Sequence, residues 1–156
     1  MIVTFDYDGT LTQEKVQVFA KFLMDIGVDV YVLTYRYNDL HAHKWKQNPT
    51  NEDMYKVTDA IGIPRHKIMF TNFTDKHHFL KDTFVNLHID DCPWQISTCR
   101  ASVLTPIVDA LQKDCIQQCF DILREDPKFF ELYETRMNNL SKDNEAYDVV
   151  NSMIQY

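Results

Sequence analysis

For about a hundred residues, apolar and polar positions in this chain alternate between two rhythms; beyond that only one continues. Short β-branched or aromatic runs occur at residues 2–5 (IVTF), 28–34 (VDVYVLT), 67–71 (KIMFT) and 84–89 (FVNLHI). Such runs, bounded by turn residues, read as strands, and the second is apolar on both faces like a central parallel strand. Between the first two, Val16, Phe19, Phe22, Leu23 and Ile26 recur at helical spacing. Thr12 stands as the cap of that helix, Glu14 lies in its first turn, and Gly27 closes it. The rhythm then repeats. Asn51 caps a helix with Glu52 and Asp53 in its first turn and Met54, Val57 and Ile61 on one face, closed by Gly62 ahead of Pro64. Strand, helix, glycine, strand is a βαβ unit with parallel neighbouring strands, and its repetition is the grammar of a doubly wound sheet.

Shorter features fill the gaps. Residues 38–46 are expected to form a short helix stopped before Pro49, and Thr74 and Asp75 to cap another that carries Lys76 in its first turn. A helix dipole disfavours a cation there, so Lys76 implies an anion close by. Residues 101–104 read as a fifth strand before Thr105-Pro106. From Pro106 onward the pattern is helical only. Val108, Leu111, Cys115, Cys119 and Ile122 share one face, and Asp126-Pro127 restarts a helix with Phe129, Phe130, Tyr133, Met137 and Leu140. A last segment carries Ala146, Val149, Val150, Met153 and Ile154. The expected architecture is therefore α/β: a Rossmann-like parallel sheet of about five strands flanked by helices over residues 1–125. A helical extension follows over residues 126–156. Its surplus of apolar positions points to self-association into a homo-oligomer or to a docked partner.

Composition narrows the picture. The chain has 156 residues, enough for one domain with a real core, and a net charge of -7. That charge argues against broad binding to nucleic acid or anionic membranes, although a local basic patch is compatible with it. No apolar run reaches membrane-spanning length. The four cysteines, Cys92, Cys99, Cys115 and Cys119, match no common zinc spacing. They read as reduced, mostly buried thiols in a cytoplasmic protein.

The first strand runs into Asp6-x-Asp8-Gly9-Thr10, placing two carboxylates and a turn glycine at the strand end where α/β sheets bind ligands. If the strand bends there, Asp6 offers its side chain and Asp8 its carbonyl to a common site. An EF-hand is excluded, because the twelfth residue counted from Asp6 is Gln17 rather than an acid. A solvated acidic turn and a cation site both remain open on this motif alone. A second acidic pair, Asp90-Asp91, ends the fourth strand, and Thr34 ends the second.

Asp6-x-Asp8-Gly9-Thr10-Leu11-Thr12, Thr34, Lys76 and Asp90-Asp91, in that order, resemble the four motifs of the haloacid dehalogenase superfamily of phosphohydrolases. The resemblance covers residues 1–105. Receiver domains of two-component signalling use similar parts, but there the acidic pair comes first in the chain. The resemblance implies a magnesium-dependent phosphatase that forms an aspartyl phosphate. It casts Asp6 as nucleophile, Asp8 as general acid and base, and Thr34 and Lys76 as holders of the phosphoryl oxygens. Asp6, the Asp8 carbonyl, Asp90 and Asp91 would hold Mg²⁺, with Asp91 favoured as direct ligand. A phosphoprotein phosphatase and a catalytically silent binding protein are the alternatives.

In that superfamily a cap domain usually selects the substrate, and neither expected insertion point has room for one here. Within the aromatic and basic stretch, residues 35–49 are the one available partial lid. Gly9 and Thr10 of the first motif and Tyr35, Arg36 and Trp45 of this lid are the candidate substrate contacts, with Trp45 stacking on a base or ring and Arg36 binding a second anion. A phosphorylated nucleotide or polynucleotide end is the favoured substrate.

Overall fold

The computed structural model describes residues 1–140 and Ser152. Five short strands form one all-parallel sheet: β1 (Ile2–Phe5), β2 (Asp29–Thr34), β3 (Ile68–Phe70), β4 (Leu87–Asp90) and β5 (Ile107–Asp109). Among the described residues up to 140, six α-helices accompany them: α1 (Glu14–Asp25), α2 (Glu52–Ile61), α3 (His77–Leu80), α4 (Pro93–Ser102), α5 (Cys115–Arg124) and α6 (Pro127–Leu140). The strand order is β3-β2-β1-β4-β5. The chain builds outward from β1 to β3, then returns to the other side of β1 with β4. That reversal is the switch point of a doubly wound sheet, where the carboxyl ends of β1 and β4 open a crevice.

Alternation along the strands divides the core in two. Val3, Phe5, Val30, Val32, Leu87, Ile89 and Val108 face a large cluster shared with α1, α2 and α5. Leu33 and Ile107 face a smaller cluster with Leu80 from α3 and with Ile96 and Cys99 from α4. Gly62 ends α2 with φ of 90°, a left-handed conformation that a side chain would strain.

The C-terminal helix α6 packs onto this core. Phe129 is fully buried against Phe120 and Tyr133, and Leu132 and Met137 are partly covered. Those positions of the apolar surplus are therefore spent within the chain, while Phe130 remains exposed. Residues 146–154, the rest of that surplus, lie outside the described residues except Ser152. Among the described residues, no helix is long and apolar enough to cross a membrane.

Several local expectations need correction. Residues 101–104 are not a strand: 101 and 102 end α4, and the fifth strand comes later, at Ile107–Asp109. Pro93 at the first turn of α4 is the start signal that outweighed the short apolar run. Val108 is accordingly a strand residue, Leu111 is exposed, and the helix that buries Cys115 and Cys119 begins at Cys115. The fourth strand starts at Leu87, leaving Phe84 almost fully exposed. Residues 38–46 hold only a single turn, Ala42–Lys44. There Asp39 accepts hydrogen bonds from Asn51 and Tyr55, which fixes the segment to α2 instead of starting a helix. Asn51, turned towards Asp39 and the Tyr37 carbonyl, does not cap α2 with its side chain. The first helix starts after Gln13 rather than Thr12, and α3 after Lys76.

Candidate active site

The register of β1 against β4 sets Thr4 beside His88, and two residues on Asp6, just past the end of β1, comes alongside Asp90, the last residue of β4. Lys76, entering from the loop after β3, closes the group. Its Nζ donates to Asp6 Oδ1 at 2.5 Å and to Asp90 Oδ2 at 2.6 Å. All three side chains are buried. Gln95 of α4 fixes this loop: its Oε1 accepts from the Lys76 backbone N–H at 3.0 Å, and its Nε2 donates to Asp75.

Beneath the site, His88 is fully buried. Its Nε2 lies 3.1 Å from Asp90 Oδ2 and its Nδ1 2.8 Å from Thr4 Oγ1. Burial lowers its pKa, so the ring is neutral: Nε2–H donates to Asp90 and Nδ1 accepts from the Thr4 hydroxyl. Asp90 also accepts from the Cys92 N–H through Oδ1. Both its oxygens are thus engaged by the protein.

Past the strand end, residues Tyr7–Leu11 form a wide turn that swings Asp8 away from Asp6. Gly9, with φ of 74°, lies against Asp91: a Cβ there would meet Asp91 Oδ2 at 2.1 Å. Only glycine permits this approach. Thr10 donates to Asp91 Oδ1 at 3.2 Å. Ligand oxygens of Asp6, Asp90 and Asp91 come within 4.8 Å of one another. At that separation two carboxylates repel by about 3 kcal/mol at an effective dielectric of about 20. With all three ionised, three carboxylates against one ammonium would leave two negative charges unbalanced.

The electrostatics follow this crowding. Burial lifts the Asp6 pKa to about 8, with Asp90 and Asp91 adding to the rise and Lys76 opposing it. Burial and Asp90 also raise Asp91. Burial works against the charge on Asp90 too, but His88 and Lys76 outweigh it and hold that carboxyl down at about 2. Burial likewise disfavours the Lys76 ammonium, yet Asp6 and Asp90 together raise its pKa.

Arg36, directly after β2, is buried and meets two half-exposed carboxylates. It donates to Asp8 through Nε at 2.7 Å and Nη2 at 2.6 Å, and to Asp53 through Nη1 at 2.7 Å and Nη2 at 2.8 Å. The guanidinium also stacks near Tyr7 and Trp45, at 4.8 and 5.5 Å from their ring centres. Its donors are therefore turned to protein carboxylates.

A cavity of about 420 Å³ opens over this floor. Asp6, Asp8, Lys76 and Asp91 line its charged part, and Tyr35, Arg36, Trp45, Phe73, Cys92, Trp94 and Gln95 its walls. Of the residues singled out from sequence, Asp6, Asp8, Lys76, Asp91, Tyr35, Arg36 and Trp45 therefore meet at one cavity. Gly9 and Thr10 act against Asp91 from outside the lining, and Asp90 sits beneath it. Thr34 is fully buried, and its Oγ1 accepts from the Arg36 N–H at 3.3 Å rather than facing the cavity. Sequence reasoning missed Asp53, Phe73, His88, Trp94 and Gln95. His88 alone carried a readable signal, being two residues before Asp90 in a strand and so on its face.

Fold and site together define a doubly wound α/β protein with a lysine-bridged carboxylate site at its switch point. Compared with known protein families, curated proteins and solved structures, the chain matches none.

Proposed function

We propose that this protein is a phosphohydrolase that cleaves phosphate monoesters with the help of Mg²⁺. One observation carries the reading: Lys76 bridges Asp6 and Asp90 at the sheet switch point, with Asp91 facing the same cavity. It agrees with three of the four haloacid dehalogenase-like motifs in the sequence, those of Asp6 and Asp8, Lys76, and Asp90-Asp91, while the Thr34 hydroxyl is turned away from the cavity.

The donor set fits a hard divalent cation. Asp6, Asp90 and Asp91 supply closely spaced oxygens, and the two unbalanced negative charges equal the charge of such an ion. Asp90 is already engaged by Lys76, His88 and the Cys92 N–H, so Asp6 and Asp91 would hold the cation directly and Asp90 would orient the lysine. When bound, the cation polarises the phosphoryl group and favours ionised Asp6.

The residues then divide the work. An Asp6 oxygen attacks phosphorus, an O–P bond to Asp6 forms, and the bond to the leaving oxygen breaks. Lys76 offsets charge at the attacking carboxylate. Asp8 gives a proton to the leaving oxygen, then takes one from the water that releases inorganic phosphate. Arg36 engages both Asp8 oxygens, so that pair has to open before Asp8 exchanges a proton.

Turnover of 4-nitrophenyl phosphate with Mg²⁺ and with chelator tests the reading. Asp6→Asn abolishes turnover, since an amide is no nucleophile, and Asp8→Asn costs about 10²–10⁴-fold. Full activity in chelator or in Asp6→Asn overturns the proposal.

A further inference from the structure

We propose that Phe73 and Trp94 grip the terminal base of a phosphorylated single-stranded nucleic acid, whose following phosphates run over Lys44 and Lys46. This rests on the phosphohydrolase reading, because it takes the cavity floor as the place of the terminal phosphate.

The cavity is far larger than a phosphate group requires. At about 420 Å³ it falls in the range of roughly 300–1,000 Å³ typical of small organic ligands. Phe73 follows β3 and Trp94 follows β4, so the two rings reach the cavity from strands on either side of β1. Trp94 is 63% exposed and makes no ring contact among the described residues. Two aromatic side chains above the floor where the phosphohydrolase reading seats a phosphate suit a planar ring one sugar away from it.

Phe73 is held in place at a conformational cost. Asn72 and Phe73 have φ of 51° and 63°, a left-handed region that bulky residues rarely adopt. The turn is stitched to the neighbouring loop, where Phe73 N–H donates to the Tyr35 carbonyl, Asn72 N–H to the Arg36 carbonyl, and Asn38 N–H to Asn72 Oδ1. Tyr35, Tyr37 and Trp45 then pack around the Phe73 ring at 4.8, 4.5 and 5.8 Å. Strain maintained by so many contacts is characteristic of ligand clamps.

Charge selects the substrate. The chain carries -7 overall, yet His41, His43, Lys44 and Lys46 stand exposed around Trp45, a cavity-lining residue. Lys44 Nζ lies 5.9 Å from the Tyr37 ring centre, and Tyr37 stacks on Phe73. Neither lysine lines the cavity. A mononucleotide inside it leaves them unused, and a phosphotyrosyl peptide offers no regular row of negative charge. A polynucleotide end offers both a ring and successive phosphates.

Fluorescence anisotropy with labelled hexathymidylate, phosphorylated at the 5′ or the 3′ end, tests this without relying on turnover. Hydrolysis of the same oligonucleotides is compared with that of 4-nitrophenyl phosphate. Trp94→Ala should weaken binding by about tenfold, the size of one lost base stack, and lower oligonucleotide kcat/KM far more than aryl phosphate kcat/KM. Lys44→Ala/Lys46→Ala should reduce the slope of log affinity against log salt by about 1.4, as for two lost phosphate contacts. The end preferred identifies the polarity of the bound strand. Thymidine monophosphate or a phosphotyrosyl peptide binding as tightly as the hexamer overturns the proposal, as does binding indifferent to Trp94→Ala. If aryl phosphate is hydrolysed but neither hexamer binds, the inference falls and the phosphohydrolase reading stands. If the hexamer binds through Trp94 with no hydrolysis of any ester, the hydrolytic reading falls and the binding site stands.

Discussion

Arg36 and Asp8 form a two-point ion pair at 2.6 and 2.7 Å on the wall of the cavity, and Asp53 of α2 holds the opposite side of the same guanidinium. Burial disfavours the Arg36 charge, but the two carboxylates outweigh that cost and raise its pKa. The planar fork of arginine matches both carboxylates at once, which a lysine does not reproduce. The first strand's catalytic candidate is thus oriented by the residues that follow β2 and begin α2.

Asp53→Ala therefore reaches the site through Arg36. Asp53 is half exposed, so the expected loss in urea unfolding is about 1–2 kcal/mol, below that of a fully buried pair. Combined with Arg36→Met, the two losses should be non-additive by at least about 0.5 kcal/mol. Additive losses would show that the two side chains act independently.

Gly9→Ala meets two obstacles. Its φ of 74° costs an alanine about 1–2 kcal/mol, and its Cβ displaces Asp91. In wild type, Mg²⁺ at a hundred times its Kd should stabilise the fold by about 2.7 kcal/mol. That Mg²⁺-dependent rise in Tm should shrink in Gly9→Ala. An undiminished rise would mean Asp91 is no ligand.

The pH dependence of the metal-free protein follows from Asp6. Its pKa moves from an ordinary 3.8 to about 8 in the fold, so between those values the folded state binds the proton more tightly than the unfolded chain. This group's contribution is then fully present below about pH 4 and is lost as pH rises towards 8. Urea midpoints in chelator should fall from pH 5 to pH 8 more steeply in wild type than in Asp6→Asn. Parallel profiles would place the Asp6 carboxyl outside this crowded site.

Two lysines near α3 separate by role. Lys76 is buried between Asp6 and Asp90, whereas Lys81 is exposed. Lys76→Ala should abolish aryl phosphate turnover, and Lys81→Ala should stay close to wild type. The reverse ranking would exclude Lys76 from the chemistry.

Much of the frame was legible because it is local. Runs such as VDVYVLT and the helix-ending glycines announce strands and turns through residues that are neighbours in sequence. Lys76 does meet anions, but not through a helix dipole: α3 begins only at His77 and spans four residues, and the anions come from β1 and β4. The short fifth strand was misplaced because three residues, Ile107–Asp109, carry too little periodicity to compete with an equally apolar run at 101–104.

The sequence by itself determined the α/β rhythm, the carboxylates at the ends of β1 and β4, and the glycine that lets Asp91 approach. Only the tertiary structure decided which of these meet. Lys76 and Asp6 are 70 positions apart, and Thr4 and His88 84, so their contacts depend on β4 returning beside β1. Asp53 looked like an ordinary acid in a helix's first turn, and Phe73 like a loop aromatic. Packing of α2 set Asp53 against Arg36, and a left-handed turn brought Phe73 to the cavity, because what a side chain faces is set by the elements packed against it and not by its neighbours in the chain.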